Sequence, residues 1–312
     1  ETGMTWGELL KQGQERLKKA GIQEYELDAW YLFEQAFSMS RARYFLDAKE
    51  EAAPGDEALK AYEDGLECRS GRVPLQHILG TQKFMGMEFF VNAHVLIPRQ
   101  DTETLVETVL NEQKNRNISV LDMCTGSGCI AVSLKALGGY ARVAAADISP
   151  KALETAEKNA GALLGADTAG TAEPAQMENR ASGERPHPVE FRQSDMFAAF
   201  EPGRDMFDVI VSNPPYIPSE VIRGLEPEVR DHEPLGALDG KEDGLYFYRI
   251  LAEQCGDFLN QGGSVYFETG HDQGAAVKTL LESHGFQDTK VIKDLAGMDR
   301  VVRGTWPGQI RK

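Results

Sequence analysis

The sequence predicts an α/β fold with a mostly parallel sheet, preceded by a small helical domain and joined to it by a β-hairpin. Three observations lead there. From about Asp101 onward, short apolar runs rich in β-branched residues alternate with helical stretches, which is the pattern of successive βαβ units. The first 70 or so residues instead repeat their apolar positions at helical spacing, and residues 81–100, "TQKFMGMEFFVNAHVLIPRQ", have the aromatic texture of a hairpin. The expected boundaries are a helical domain over 4–80, a connector over 81–100 and the α/β domain over 101–312.

In the helical domain, Thr5 and Glu8 form a capping-box pattern ahead of Trp6, Leu9, Leu10 and Leu17. A second segment carries Leu27, Trp30, Tyr31 and Phe37, and a third carries Leu59, Tyr62 and Leu66. The hairpin is expected around Gly86 and Asn92. Strands are then expected at Ile118 to Asp122, Arg142 to Asp147, Val189 to Arg192 and Phe207 to Ser212, with helices starting at Gly128 and at Ser149-Pro150. Residues 161–188, rich in Ala, Gly and Glu with no sustained period, read as a flexible surface insertion.

Composition narrows the function. The 312 residues suffice for two domains, and 41% apolar residues suffice for a real core. No run approaches a membrane span, and no signal peptide opens the chain, so a cytoplasmic protein is expected; Glu1-Thr2-Gly3 before Met4 reads as an expression leftover. The four cysteines lack paired C-x-x-C spacing, and His77, His94 and His271 lack ligand spacing, so neither a disulfide framework nor a metal site is expected. A formal net charge of −16 argues against a partner bound mainly through phosphates.

Two stretches carry chemistry. In "VLDMCTGSGCIAVSL", residues 120–134, a strand ends near Asp122 and a Gly-containing turn leads into a helix. Gly126, Gly128 and Ala131 satisfy G-x-G-x-x-A, and Asp147 ends the following strand 19 residues after Gly128, where a ribose-binding acid belongs. By itself the pattern fits a nicotinamide dinucleotide site as well as any other nucleoside site, and a structural reading, glycines for strand-helix packing and Asp147 as a helix cap, stays open. Asp122, however, would repel a pyrophosphate and attract a cationic ligand. S-adenosylmethionine carries a sulfonium and an ammonium and no phosphate. In "VSNPPYIPSE", residues 211–220, Pro214 and Pro215 cannot extend a central strand, so the chain leaves the sheet at Asn213 and sets a carboxamide at a strand's carboxyl end.

The chain resembles bacterial peptide chain release factor glutamine methyltransferases over nearly its whole length. The resemblance rests on "PLQHILG" (74–80), "LIPRQDTE" (96–103), "DMCTGSG" (122–128), "NPPY" (213–216) and "ALDGKEDGLYFYR" (237–249). It implies a class I S-adenosylmethionine-dependent methyltransferase with a Rossmann-like, mostly parallel seven-stranded sheet. It also implies transfer of a methyl group to the glutamine amide nitrogen of a Gly-Gly-Gln motif in release factors. Asn213 and Pro214 would accept the two N–H bonds of the target amide, with Pro215 stiffening the loop and Tyr216 walling the amide. Leu96, Ile97 and Arg99 would line the glutamine pocket. The cofactor would be held by Cys124, Thr125, Gly126, Ser127 and Gly128 at its methionine end, by Asp147 at the ribose, by Met196 and Phe197 near the adenine, and by Asn213.

Alternatives stay open for two of these residues: Phe197 is equally readable as core, and Arg99 as half of an ion pair. Gln100 stands where the family usually has proline, and Cys124 where it often has glycine. The acidic run Glu226 to Glu233 reads as a solvated loop near the site, with contact to a basic protein partner as the alternative, and Glu268 and Asp299 sit on late strands without an assigned role. A glutamine of a ribosomal protein is the alternative substrate. An adenine methyltransferase acting on DNA or RNA is disfavoured by the charge and by the LIPR and ALDG elements, and a non-catalytic adenosine-binding protein by the intact Asn213 to Tyr216.

Overall fold

The computed structural model describes residues 3–165 and 188–308, and the backbone falls into two compact units. The first comprises the chain up to Thr81 together with Glu226–His232. Its helices are α1 (Trp6–Lys19), α2 (Tyr25–Phe37), α3 (Arg41–Asp47), α4 (Asp56–Ser70) and α5 (Leu75–Leu79). The Thr5–Glu8 capping box is present in both directions. Leu9, Leu10 and Leu17 from α1, Trp30 and Phe33 from α2, and Tyr62 and Leu66 from α4 form the core, with Phe33 edge-on to Trp6 and Tyr62.

The run Glu226–Glu233 is not a solvated loop. Arg69, itself buried, donates to Asp28 (2.7 Å) and Glu228 (3.0 Å), and Arg72 pairs with Glu226 (3.2 Å) and Glu228 (2.9 Å). Burial alone would raise the Glu228 carboxyl, but the hydrogen bonds from Arg72 and Arg69 outweigh it and lower the carboxyl from its usual value. These pairs bind 226–232 to the helical unit from far along the chain, which local composition could not reveal.

The second unit begins with a hairpin of β1 (Thr81–Phe84) and β2 (Met87–Phe90) turning at Met85-Gly86. Phe84 and Phe89 are fully buried in the unit's main core, so the hairpin belongs to this unit rather than standing between domains. It ends before Asn92, whose side chain instead accepts from the His94 N–H in a turn. The unit continues through α6 (Gln100–Glu112), β3 (Ser119–Met123), α7 (Cys129–Ser133), a π-helical turn (Leu134–Gly138), β4 (Arg142–Asp147), α8 (Pro150–Leu164), β5 (Glu190–Gln193) and β6 (Phe207–Ser212). Short helices α9 (Ser219–Ile222), α10 (Pro227–Arg230) and α11 (Leu235–Leu238) follow, α10 lying in the first unit. The chain closes with α12 (Tyr246–Gln254), β7 (Leu259–Glu268), α13 (Gly274–Ser283), β8 (Gln287–Lys293) and β9 (Asp299–Thr305). Of the expected insertion at 161–188, residues 161–164 complete α8, and 166–187 lie outside the described residues.

The seven strands lie in the order β5-β4-β3-β6-β7-β9-β8, parallel except for β9, which runs antiparallel to both neighbours. Side chains alternate between two covered faces: Val120, Val143 and Val209 enter one core, Leu121, Ala144 and Ile210 the other. Between β3 and β6 the strand order reverses, and ligands of open α/β sheets bind beyond the carboxyl ends at such a switch point. No helix among the described residues is long and apolar enough to cross a membrane.

One buried acid makes the fold pH-sensitive. Glu268, at the end of β7, is 1% exposed, and burial lifts its carboxyl to about 7 despite a hydrogen bond with Thr102. The folded state therefore keeps a proton that the unfolded chain, near 4.5, has already released, and stability falls as pH rises from about 4.5 through 7. Glu268→Gln is expected to gain on the native protein across that range, by up to about 3 kcal/mol at pH 8. Denaturant titrations of both proteins at pH 5 and pH 8 check this; an unchanged difference between the two pH values would refute it.

Candidate active site

A cavity of about 410 Å³ opens in the second unit beyond the carboxyl ends of β3, β4 and β6. The glycine loop forms its floor. Cys124, Gly126 and Gly128 all have positive φ (66°, 55° and 80°), so the loop is three times left-handed within five residues. A Cβ on Gly126 would meet nothing within 4 Å, whereas one on Gly128 would lie 3.0 Å from the Ala156 Cβ. Gly126 thus leaves ligand space open, and Gly128 permits close packing on α8 without itself lining the cavity. Cys124 holds a conformation that L side chains adopt at a cost of roughly 1–2 kcal/mol, which explains why glycine is expected there. Its thiol faces the Met196 sulfur at 3.8 Å across the cavity wall.

Asp147, half-buried at the end of β4, lines the cavity. Its Oδ2 accepts from the Gly126 N–H and its Oδ1 from the Ser149 N–H, both at 2.9 Å. Each oxygen keeps a further lone pair for a ligand hydroxyl. Asp122 behaves differently from the sequence expectation. It is fully buried beneath the loop, accepting from the Thr125 hydroxyl (2.6 Å) and the Ala131 N–H (3.2 Å), and burial pushes it up to about 7. A carboxyl held there shapes the loop and does not face a ligand.

Asn213 follows β6 at the cavity edge, next to Pro215. Its carboxamide makes no hydrogen bond among the described residues, while the chain around it is fixed. The Ser212 hydroxyl donates to the Met123 carbonyl (2.6 Å), Gln273 donates to the Tyr216 carbonyl (2.9 Å), and the Ile217 N–H donates to the Leu238 carbonyl (3.0 Å). Pro214 and Tyr216 do not line the cavity. Tyr216 packs half-buried against the core on the α12 face, its phenol pushed up to about 12 by burial and so neutral.

The ALDG segment explains itself here. Cβ atoms on Gly240 and Gly244 would lie 2.8 Å from the Tyr216 Cα and 2.4 Å from its carbonyl oxygen. Gly240→Ala must therefore shift the Asn213 loop main chain. At least a tenfold fall in turnover is expected, with a stability loss of about 1–3 kcal/mol; unchanged kinetics would show that the loop tolerates displacement.

The segment after the hairpin supplies Leu96, Pro98, Arg99 and Thr102 to the wall. Ile97, 2% exposed, points into the protein instead, and Pro98 takes the position assigned to it. Arg99 does both things the sequence allowed: it lines the cavity and pairs with Glu233. Gln100 is the first residue of α6, where proline is naturally favoured, so the departure needs no rearrangement. Met196 lines the cavity with a φ of 47°; Phe197 is core, stacked on Phe258 at 4.7 Å. The sequence reading missed Glu233, Gln273 and the wall from Pro234 to Asp239. It also gave His94 no place at the cavity, whose wall His94 joins. Among the described residues no cluster of His, Cys, Asp and Glu could hold a metal ion.

Residues 8–80 match the family described as PrmC N-terminal domain, and residues 100–232 match that described as ribosomal protein L11 methyltransferase (PrmA). The chain is 36% identical to the release factor glutamine methyltransferase of Clostridium botulinum, over 95% of this chain and 97% of that one. The chain belongs to the release factor glutamine methyltransferase family. Its counterpart in Caulobacter vibrioides is 38% identical over 93% of this chain and 92% of the relative. A solved methyltransferase from Pyrococcus furiosus shares the fold, with a TM-score of 0.50 at 17% identity, covering 77% of this chain and 98% of that one. Within the release factor glutamine methyltransferase family, then, this is an enzyme on a class I S-adenosylmethionine-dependent methyltransferase fold.

Proposed function

We propose that the protein methylates the side-chain amide nitrogen of the glutamine in the Gly-Gly-Gln motif of peptide chain release factors, using S-adenosylmethionine. The observation that carries the reading is the Asn213 carboxamide, without a hydrogen bond among the described residues, held on a main chain fixed by Ser212, Gln273 and Leu238 at the edge of a cavity that the glycine loop and Asp147 also line. Family membership supports the substrate.

The residues present fit the cofactor. Asp147 has lone pairs left for two ribose hydroxyls, the space over Gly126 admits a chain without a Cβ clash, and Met196 offers an apolar wall. Once bound, S-adenosylmethionine supplies an electrophilic methyl group on a positively charged sulfur. A carboxamide nitrogen is a poor nucleophile because its lone pair is delocalised, so the protein's task is orientation. The Asn213 side-chain oxygen accepts an N–H bond of the target amide, while Leu96, Pro98 and Pro215 exclude water from the glutamine side chain. As the nitrogen gains the methyl, the sulfur would leave as a neutral thioether and one N–H proton would then pass to solvent water. The neutral Tyr216 phenol, buried off the cavity, is not the proton acceptor.

The test is tandem mass spectrometry of intact release factor after incubation with enzyme and methyl-labelled cofactor. Label on the Gly-Gly-Gln glutamine is expected; label confined to another residue would reject the substrate assignment.

A further inference from the structure

Glu233 is a buried carboxylate beside the cavity wall that neither the sequence reading nor the proposed chemistry uses. Its side chain is 1% exposed. One oxygen accepts the Ile97 main-chain N–H at 2.9 Å, and the other holds a terminal nitrogen of Arg99. These contacts bridge 134 to 136 residues of sequence. Both ends of the bridge are cavity wall: Leu96, Pro98 and Arg99 on one side, and Pro234, Gly236, Ala237 and Asp239, which follow Glu233 directly, on the other. Arg99 itself is 41% exposed, so only part of its guanidinium is engaged by Glu233. Burial raises the Glu233 carboxyl above its ordinary value, and the Arg99 charge and the Ile97 N–H offset that only in part.

The geometry points to Glu233 as a positioning residue for the protein substrate. It locks the 96–99 wall to the 234–239 wall and aims Arg99, which lines the cavity and whose remaining N–H groups donate to main-chain carbonyls of the glutamine-bearing loop. This rests on the reading of the cavity as a glutamine methyltransferase site. It assigns Glu233 to substrate placement and not to the cofactor, because among the described residues its hydrogen bonds and ion pair go to Ile97 and Arg99 and not to Cys124–Ser127 or Asp147. The division of labour is therefore specific: the carboxylate's charge serves Arg99, and its acceptor capacity serves the Ile97 N–H.

Glu233→Gln separates the two, since the amide oxygen still accepts from Ile97 while the charge on Arg99 is lost. Expected is at least a tenfold rise in KM for release factor, with S-adenosylhomocysteine affinity within twofold of the native protein and a smaller change in kcat. In an Arg99→Ala background the same substitution should cost less than threefold, because its target is gone. A KM within twofold of native, cofactor-product affinity falling in step with activity, or fully multiplicative effects of the two substitutions would each overturn the assignment. Product affinity and the thermal midpoint report folding; should Glu233→Gln not fold, Glu233→Asp, too short to hold both Arg99 and the Ile97 N–H, is expected to raise the release-factor KM likewise, and a native KM in that variant would overturn the assignment. Failure of the broader reading is distinct: native protein would then leave release factor unmethylated while still binding S-adenosylhomocysteine.

Discussion

Asn213→Ala is expected to lower turnover on release factor by about 100-fold or more while leaving S-adenosylhomocysteine affinity within about twofold. The side chain makes no hydrogen bond among the described residues and lies at the cavity edge, so truncating it removes an acceptor without unpacking the core. The main chain around it stays anchored through Ser212, Gln273 and Leu238. Loss of an orienting acceptor leaves the amide in the pocket but misaligned, and a misplacement of about 1 Å can cost about 100-fold. Single-turnover kinetics with calorimetry of the product check both halves. Near-native turnover would remove Asn213 from the chemistry, and collapse of both quantities would show a structural role.

Asp147→Ala should act on the other half of the site. Two ribose hydroxyls bonded to a carboxylate are charge-assisted contacts worth roughly 1.5 to 3 kcal/mol each, so cofactor and product affinity should fall by about 100-fold or more. The Gly126 and Ser149 N–H groups also lose their acceptor, which loosens the loop. Calorimetry with S-adenosylhomocysteine measures the loss, and Asp147→Asn, which keeps one acceptor oxygen, should recover part of it. Affinity unchanged in Asp147→Ala would make the residue a cap for α8 and nothing more.

Much of the fold was legible because its signals are local. The Thr5–Glu8 capping box, the Ser149-Pro150 helix start and the runs Arg142–Asp147 and Phe207–Ser212 each state their structure within a few residues, and the observed elements begin and end there or within one residue. The order β5-β4-β3-β6-β7-β9-β8 was not legible, because periodicity does not say which strands are neighbours and the resemblance implied only a mostly parallel seven-stranded sheet. At the site, residues at strand ends were readable, since Asn213 and Asp147 must lie at the carboxyl edge once β6 and β4 are assigned. Direction was not. Alternation along an irregular segment does not say that Ile97 turns inward while Leu96 and Pro98 face the cavity, nor that Asp122 sits beneath its loop. Partners distant in sequence were invisible: Glu228 to Arg69 spans 159 residues and Glu233 to Ile97 spans 136, and an acidic run looks solvated until its arginines are placed.

The central claim, that this site methylates a protein glutamine, is tested most directly by offering release factor, a ribosomal protein and adenine-containing DNA side by side with methyl-labelled cofactor. The negative charge of −16 and the family membership lead to label on the release factor glutamine, absent from DNA and lost with Asn213→Ala. Label on DNA adenine, with none on any protein glutamine, would contradict the account.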